Sequence, residues 1–171
     1  NWNDIPGEEV EKTIQEIGEF VPRYRAELDM GYRQIIPYCM LTCEDKIFTT
    51  RRLGGDQRLV GKLSIGIGGH IERVDAKSMS LIRDALQREL DEEVDIGSNI
   101  VDIQMLGHIY MDKSPVDSVH YGLAYSVKLD GLDVKVKETE VLEGSWYTKD
   151  ELMGFKEDLE DWSLYCLENF I

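Results

Sequence analysis

The chain has 171 residues, 42% of them hydrophobic and 31% charged, which fits one folded domain with a sizeable core and excludes a disordered chain. Its 34 acidic residues against 19 basic ones give a formal net charge of −15, a surface that repels nucleic acid and anionic membrane, so neither is expected as a partner. A phosphate-bearing ligand would meet the same repulsion unless bound cations and a local basic patch screened it.

The chain opens on the polar run Asn1-Trp2-Asn3-Asp4, without Met, which reads as a trimmed or partial chain carrying no secretory signal. No apolar run reaches the roughly 18 residues of a membrane span. Cys39, Cys43 and Cys166 are too sparse and odd in number for a disulfide scaffold, so reduced thiols in a cytoplasmic protein are expected.

Residues 8–20 place Val10, Ile14, Ile17 and Phe20 at helical spacing, and Pro22 ends the pattern. Residues 1–30 thus form an N-terminal helical extension. Residues 34–42 and 47–51 are strand candidates joined by a turn at Glu44-Asp45, followed by loop material from Leu53 through Gly54 and Gly55 to Asp56. The apolar stretch 63–67 runs into Gly68-Gly69. From Met79 to Val94 the i, i+4 stripe of Ile82, Leu86, Leu90 and Val94 marks the best helix of the sequence. Residues 99–111 and 121–129 read as strands joined by a loop containing Pro115. Val134 and Val136 alternate about Lys135, and 144–147 adds a short strand. Residues 149–171 look largely helical, with Leu159, Trp162, Tyr165, Cys166 and Phe170 on a core face. Helix, strands, helix, strands, helix is the order of a mixed sheet flanked by helices.

The chemistry concentrates in Arg88-Glu89-Leu90-Asp91-Glu92-Glu93. Glu89, Glu92 and Glu93 stand at i, i+3 and i+4 on one helix face, close to the C-terminal end, where neither the macrodipole nor mutual repulsion favours them. A divalent cation would relieve that cost, and paired carboxylates with waters are how Mg²⁺ grips phosphate-bearing substrates. The plain rival is a solvated acidic face in a chain rich in carboxylates.

Together with Gly68-Gly69-His70-Ile71-Glu72 upstream, these residues resemble the Nudix hydrolase family (the MutT-like proteins), whose signature reads G-x5-E-x7-R-E-U-x-E-E-x-G-U with U apolar. Arg88, Glu89, Leu90, Glu92, Glu93 and Ile96 match its second half, and Gly69 its opening glycine. Asp75 stands where the family has Glu, and five extra residues lie between it and Arg88. Asp95 replaces the closing glycine, and Ile67 stands where many members have Pro.

The resemblance implies an α/β/α sandwich with mixed β-sheet over residues 31–171, the signature forming its loop–helix–loop. It also implies Mg²⁺- or Mn²⁺-dependent cleavage of a diphosphate linkage in a nucleoside-diphosphate-like small molecule. By the same resemblance Glu89, Glu92 and Glu93 are metal ligands, Glu89 can help deprotonate water, Arg88 orients the carboxylates, and the Gly68-Gly69 backbone approaches metal or phosphate. His70 and Glu72 could face the ligand or cap the turn. Arg51 and Arg52 suit diphosphate recognition or structural ion pairs.

His120 could reach the site or serve as a hydrogen-bonded core histidine. Asp112 and Asp117 lie in the loop where some members supply a further acid, and Trp146 and Tyr147 could stack on a base or pack in the core. A Nudix-fold nucleotide-binding module without catalysis is the alternative reading. An isomerase on a related fold is a third, against which no cysteine is read beside the glutamate helix. A homodimer through the N-terminal helix or the C-terminal aromatic segment is left open.

Overall fold

The computed structural model describes residues 5–55, 57, 59–77, 80–113 and 117–171. Met79, Asp56 and Pro115, each named in the sequence reading, lie outside the described residues. Strands β1 (Gln34–Cys43) and β2 (Lys46–Arg52) form a hairpin that stays paired for only two register positions, Thr42 opposite Ile47 and Cys43 opposite Lys46. Beyond these the strands splay apart, and residues 63–68 fill the wedge. β3 (Leu63–Ser64) pairs with β2, and β4 (Ile67–Gly68) pairs with β1.

The chain changes partner at Gly66, because the ring of Tyr38 occupies the opening. A Cβ on Gly66 would lie 2.1 Å from Tyr38 Cζ. The apolar stretch 63–67 therefore forms two short strands with different partners. The Tyr38 hydroxyl is anchored at 2.8 Å from Ser163 Oγ and 3.2 Å from Ser64 Oγ.

The rest of the sheet follows from burial. β1 is apolar on both faces, as a central strand must be, and runs parallel to β7 (His120–Leu129) from Gln34 opposite His120 to Thr42 opposite Lys128. β6 (Ile100–Ile109) pairs antiparallel to β7, and β9 (Leu142–Thr148) covers the outer edge of β2. A separate ribbon joins β5 (Val94–Ile96) to β8 (Val134–Val136).

Helix α3 (Leu81–Glu93) lays the stripe Ile82, Ala85, Leu86 and Leu90 on β1 and β4. With Cys39, Phe48, Leu123 and Tyr125 these residues build one core. The opposite face of the sheet carries Leu152 of α4 (Lys149–Gly154), and Cys166 and Leu167 of α5 (Asp161–Asn169), against Met40, Ile47 and Ile109. The result is the expected mixed sheet between helical layers. The C-terminal helix is interrupted over 155–160, where Leu159 bridges to Leu63.

At the other end, α1 (Gly7–Ile17) docks Val10 and Ile14 on the first core and receives a hydrogen bond from the Tyr125 hydroxyl at Glu11. It stops at Gly18, short of the expected Phe20. Ile17 is left 77% exposed, and Phe20 lies under the Arg73 guanidinium. A second short helix, α2 (Arg23–Leu28), starts after Pro22, where a fixed φ and a missing N–H suit the beginning of a helix. All three cysteines are buried and free. Among the described residues no helix is long and apolar enough to cross a membrane.

If the wedge sets the sheet, Gly66→Ala must push the Tyr38 ring off its seat. The expected cost is about 1–3 kcal/mol, read as a lower urea midpoint at unchanged slope.

Candidate active site

Three local structures converge at the open end of the wedge. β4 ends at Gly68, Gly69 follows it, and a side chain at either would meet a close neighbour. A Cβ on Gly68 would sit 2.4 Å from the Pro37 carbonyl oxygen, and one on Gly69 2.2 Å from Glu89 Oε1. The chain then makes a single 3₁₀ turn, Arg73–Asp75, closed by reciprocal Glu72 and Asp75 caps, with the Glu72 N–H donating to Asp75 Oδ2 at 2.7 Å. Finally α3 brings Arg88 over this turn.

Arg88 fastens the three together. Its Nε donates to Asp75 Oδ1 at 2.7 Å and its Nη2 to Asp75 Oδ2 at 3.1 Å, a two-pronged pair with a carboxylate that is 1% exposed. Nη2 also donates to the His70 carbonyl at 2.8 Å. Nη1 reaches Glu89 Oε1 at 2.7 Å and Glu92 Oε2 at 3.1 Å. The five extra residues ahead of the helix therefore do not part Arg88 from the loop. Asp75 takes the place of the signature glutamate as its partner. Burial alone would raise the Asp75 pKa, but Arg88 and the Glu72 N–H outweigh it and hold the carboxyl below its usual range.

The helix carboxylates stand the other way. Burial raises Glu89 despite its bond to Arg88. Glu93 is pushed up to about 7, first by burial and then by the charge of Glu89, with the Arg52 guanidinium opposing. Glu92 is more open, its side chain 59% exposed. Among the described residues no three His, Cys, Asp or Glu side chains close into a metal cage. Mg²⁺ and Mn²⁺ do not require one, since they are held by one or two carboxylates together with waters and substrate oxygens. Two partly buried hard-oxygen donors with raised proton affinity, Glu93 in part through the charge of Glu89, fit such an ion.

Over 154 residues the chain is 36% identical to Protein YmaB of Bacillus subtilis, spanning 84% of this chain and 73% of that protein. It is 32% identical over 91 residues to an uncharacterized Nudix hydrolase of Nostoc, covering 53% of this chain and 49% of that one. The crystal structure of Tm1382, described as a Nudix hydrolase, superposes with a TM-score of 0.82 at 27% identity, covering 96% of this chain and 84% of that one. The chain belongs to the Nudix hydrolase family. No family-level sequence profile matches it. The Nudix domain of Shewanella oneidensis NrtR, solved in complex with ADP-ribose, shares the fold at 13% identity, with a TM-score of 0.63 over 93% of this chain and 95% of that one.

Around the Nudix helix the remaining candidates separate by strand geometry. Arg51 and Arg52 are sequence neighbours, so the pleat sends them to opposite faces. Arg51 donates to the Gly61 carbonyl at 3.0 Å and shares a recess with Thr49, Leu63, Glu143, Ser145 and Tyr147. Arg52 faces the Nudix helix, lowering the pKa of Glu93 and also that of Glu160. Its Nε is buried with no hydrogen-bond partner among the described residues.

His70 meets His120 with 3.2 Å between their Nε2 atoms, and Gln34 Nε2 stands 3.4 Å from His120 Nε2. His70 is pushed down to about 4 by burial, then by Arg23 of α2 and by His120. The Arg23 and Gln34 contributions were not legible in the sequence, because α2 and the β1–β7 register place them there. Asp117 is buried in a 3₁₀ turn ahead of β7. Trp146 donates its indole N–H to the Leu132 carbonyl and packs on Phe48, and Tyr147 packs on Phe155.

A cysteine does lie beside the glutamates, contrary to the sequence reading. Cys39 sits in β1 beneath β4, its thiol donating to the Ile67 carbonyl. Burial and the charges of Glu93 and Glu89 push its pKa far up, so it stays a thiol.

The raised Glu93 makes stability depend on pH. An unfolded glutamate loses its proton near 4.5 and the folded one near 7, so the metal-free fold loses stability as pH rises through that window. Glu93→Gln removes this cost. In chelator the variant is expected to exceed the wild type by about 1–3 kcal/mol at pH 8, the gap closing toward pH 4.5 in parallel denaturation curves.

Proposed function

We propose that the protein is a divalent-metal-dependent Nudix phosphohydrolase that cleaves a diphosphate linkage in a nucleoside-diphosphate-like small molecule, with Mg²⁺ or Mn²⁺ as the ion. The single observation that carries this reading is the crowding of Glu89 and Glu93 beside Gly69 by the Arg88–Asp75 clamp. A folded protein accumulates like charge at such cost where function requires it. The bound ion would polarise the phosphoryl oxygens and supply an activated water.

The chain's own residues do the rest. Glu89 and Glu93 present oxygens from successive turns of one helix, with Glu92 at the open rim. Glu89, next to the Gly69 backbone, is placed to accept a proton from a water at that surface. The missing side chains at Gly68 and Gly69 let an anionic substrate reach main-chain N–H groups. Arg52, whose charge opposes the rise at Glu93, is the cation that would meet a substrate oxygen from the side of the sheet. His70 and His120 form the wall beyond the turn, where the non-phosphate part of a substrate would rest. That the NrtR Nudix domain holds ADP-ribose supports a substrate of this class, a diphosphate joining a nucleoside to a second group.

The test is hydrolysis of a panel of such diphosphates with Mg²⁺ and with Mn²⁺. At least one compound should be cleaved, and Glu92→Gln and Glu93→Gln should each lower the rate about a hundredfold or more while the fold survives. No turnover above background, with one compound still raising the melting temperature, would favour a nucleotide-binding module instead.

A further inference from the structure

The Nudix helix of this chain ends abruptly. Val94, its C-cap, is already extended at φ −135° and ψ 151°, and Asp95 stands where the signature has glycine. No left-handed residue turns the chain back to cover the last carbonyls, and the last turn carries no basic residue of its own.

The cover comes from β8, forty residues on. Register pairs Val94 with Val136, so the residue after β8 falls against the helix end. The Lys137 N–H donates to the Glu93 carbonyl at 2.9 Å. Its ammonium group donates to the Asp91 carbonyl and pairs with Asp95 Oδ1 at 3.3 Å. Asp91 lies about 200° around the helix from Glu89, so Lys137 approaches from behind the carboxylate face.

We propose that Lys137, oriented by Asp95, is a positioning residue for the metal site. Its ammonium group holds the Asp91 carbonyl, beside the Glu93 carbonyl that its backbone N–H holds, and so fixes the height and rotation of the turn that bears Glu92 and Glu93. The inference rests on the metal-dependent reading above. It also gives the replaced signature glycine a reason: a helix capped in trans by a lysine needs a carboxylate at position 95 rather than a left-handed glycine.

Mn²⁺ titration of the full chain by electron paramagnetic resonance, without substrate, tests this. Lys137→Met should weaken Mn²⁺ binding about 10- to 100-fold, the loss typical of a group that orients a ligand. Lys137→Arg should restore it to within about threefold, and saturating Mn²⁺ should return most of the kcat lost by Lys137→Met. A Lys137→Met protein that melts lower but binds Mn²⁺ as the wild type does would show a merely structural cap and overturn the proposal, leaving the metal site standing. Failure of the wild type itself to bind Mn²⁺ would overturn the metal reading and this inference with it. If Lys137→Met does not fold, Asp95→Asn carries the test. It should weaken binding about threefold, and unchanged affinity would overturn the proposal.

Discussion

The guanidinium of Arg88 is the point on which the site depends. A planar group with five donors satisfies Asp75 twice, the His70 carbonyl, Glu89 and Glu92, and so welds a loop, a 3₁₀ turn and a helix into one body. Lysine could not do this, since a point charge cannot hold a carboxylate in two places and a carbonyl in a third. Asp75, 1% exposed, is tolerable only because this partner is present. The Nudix turn and the Nudix helix are therefore held to each other through one side chain.

That weld explains how so acidic a chain can concentrate more negative charge instead of dispersing it. Arg88 neutralises one side of Glu89 and leaves the other facing Glu93, while Arg52 approaches from the sheet and Lys137 from behind the helix. Three cations from three elements surround the carboxylates without filling the face that looks onto Gly69. Burial first, and the neighbouring carboxylates after it, leave Glu89 and Glu93 with raised proton affinity.

Much of this was legible from residue order. The stripe of Ile82, Leu86 and Leu90 marked the helix, and the carboxylates at i, i+3 and i+4 marked the face it presents beside Gly69, because both are local periodicities. What escaped was set by contacts across the chain. The role of Asp75 depends on a turn that folds back over an insertion, which spacing alone reads as a mismatch. Arg51 and Arg52 look equivalent in sequence, and the pleat divides them. Gly66 interrupts an apolar run only because Tyr38, in another strand, stands in its path. Helix α2 and Lys137 act through docking and strand register, for which a single sequence carries no period.

The wedge between β1 and β2 has a consequence for how such an enzyme could diversify. Residues 53–62 leave β2 and return as β3, their ends tied by the Arg52 N–H to the Lys62 carbonyl and the Gly61 N–H to the Arg52 carbonyl. The excursion is closed at its base, so its length has no mechanical connection to Gly68 and Gly69, which are set by Tyr38 and β1. Lengthening such a closed loop costs little, on the order of 0.6 kcal/mol per doubling. Insertions there would leave the carboxylate helix where it is. The same sheet thus fixes the glycine turn through one pair of strands and tolerates a change of loop length at the other.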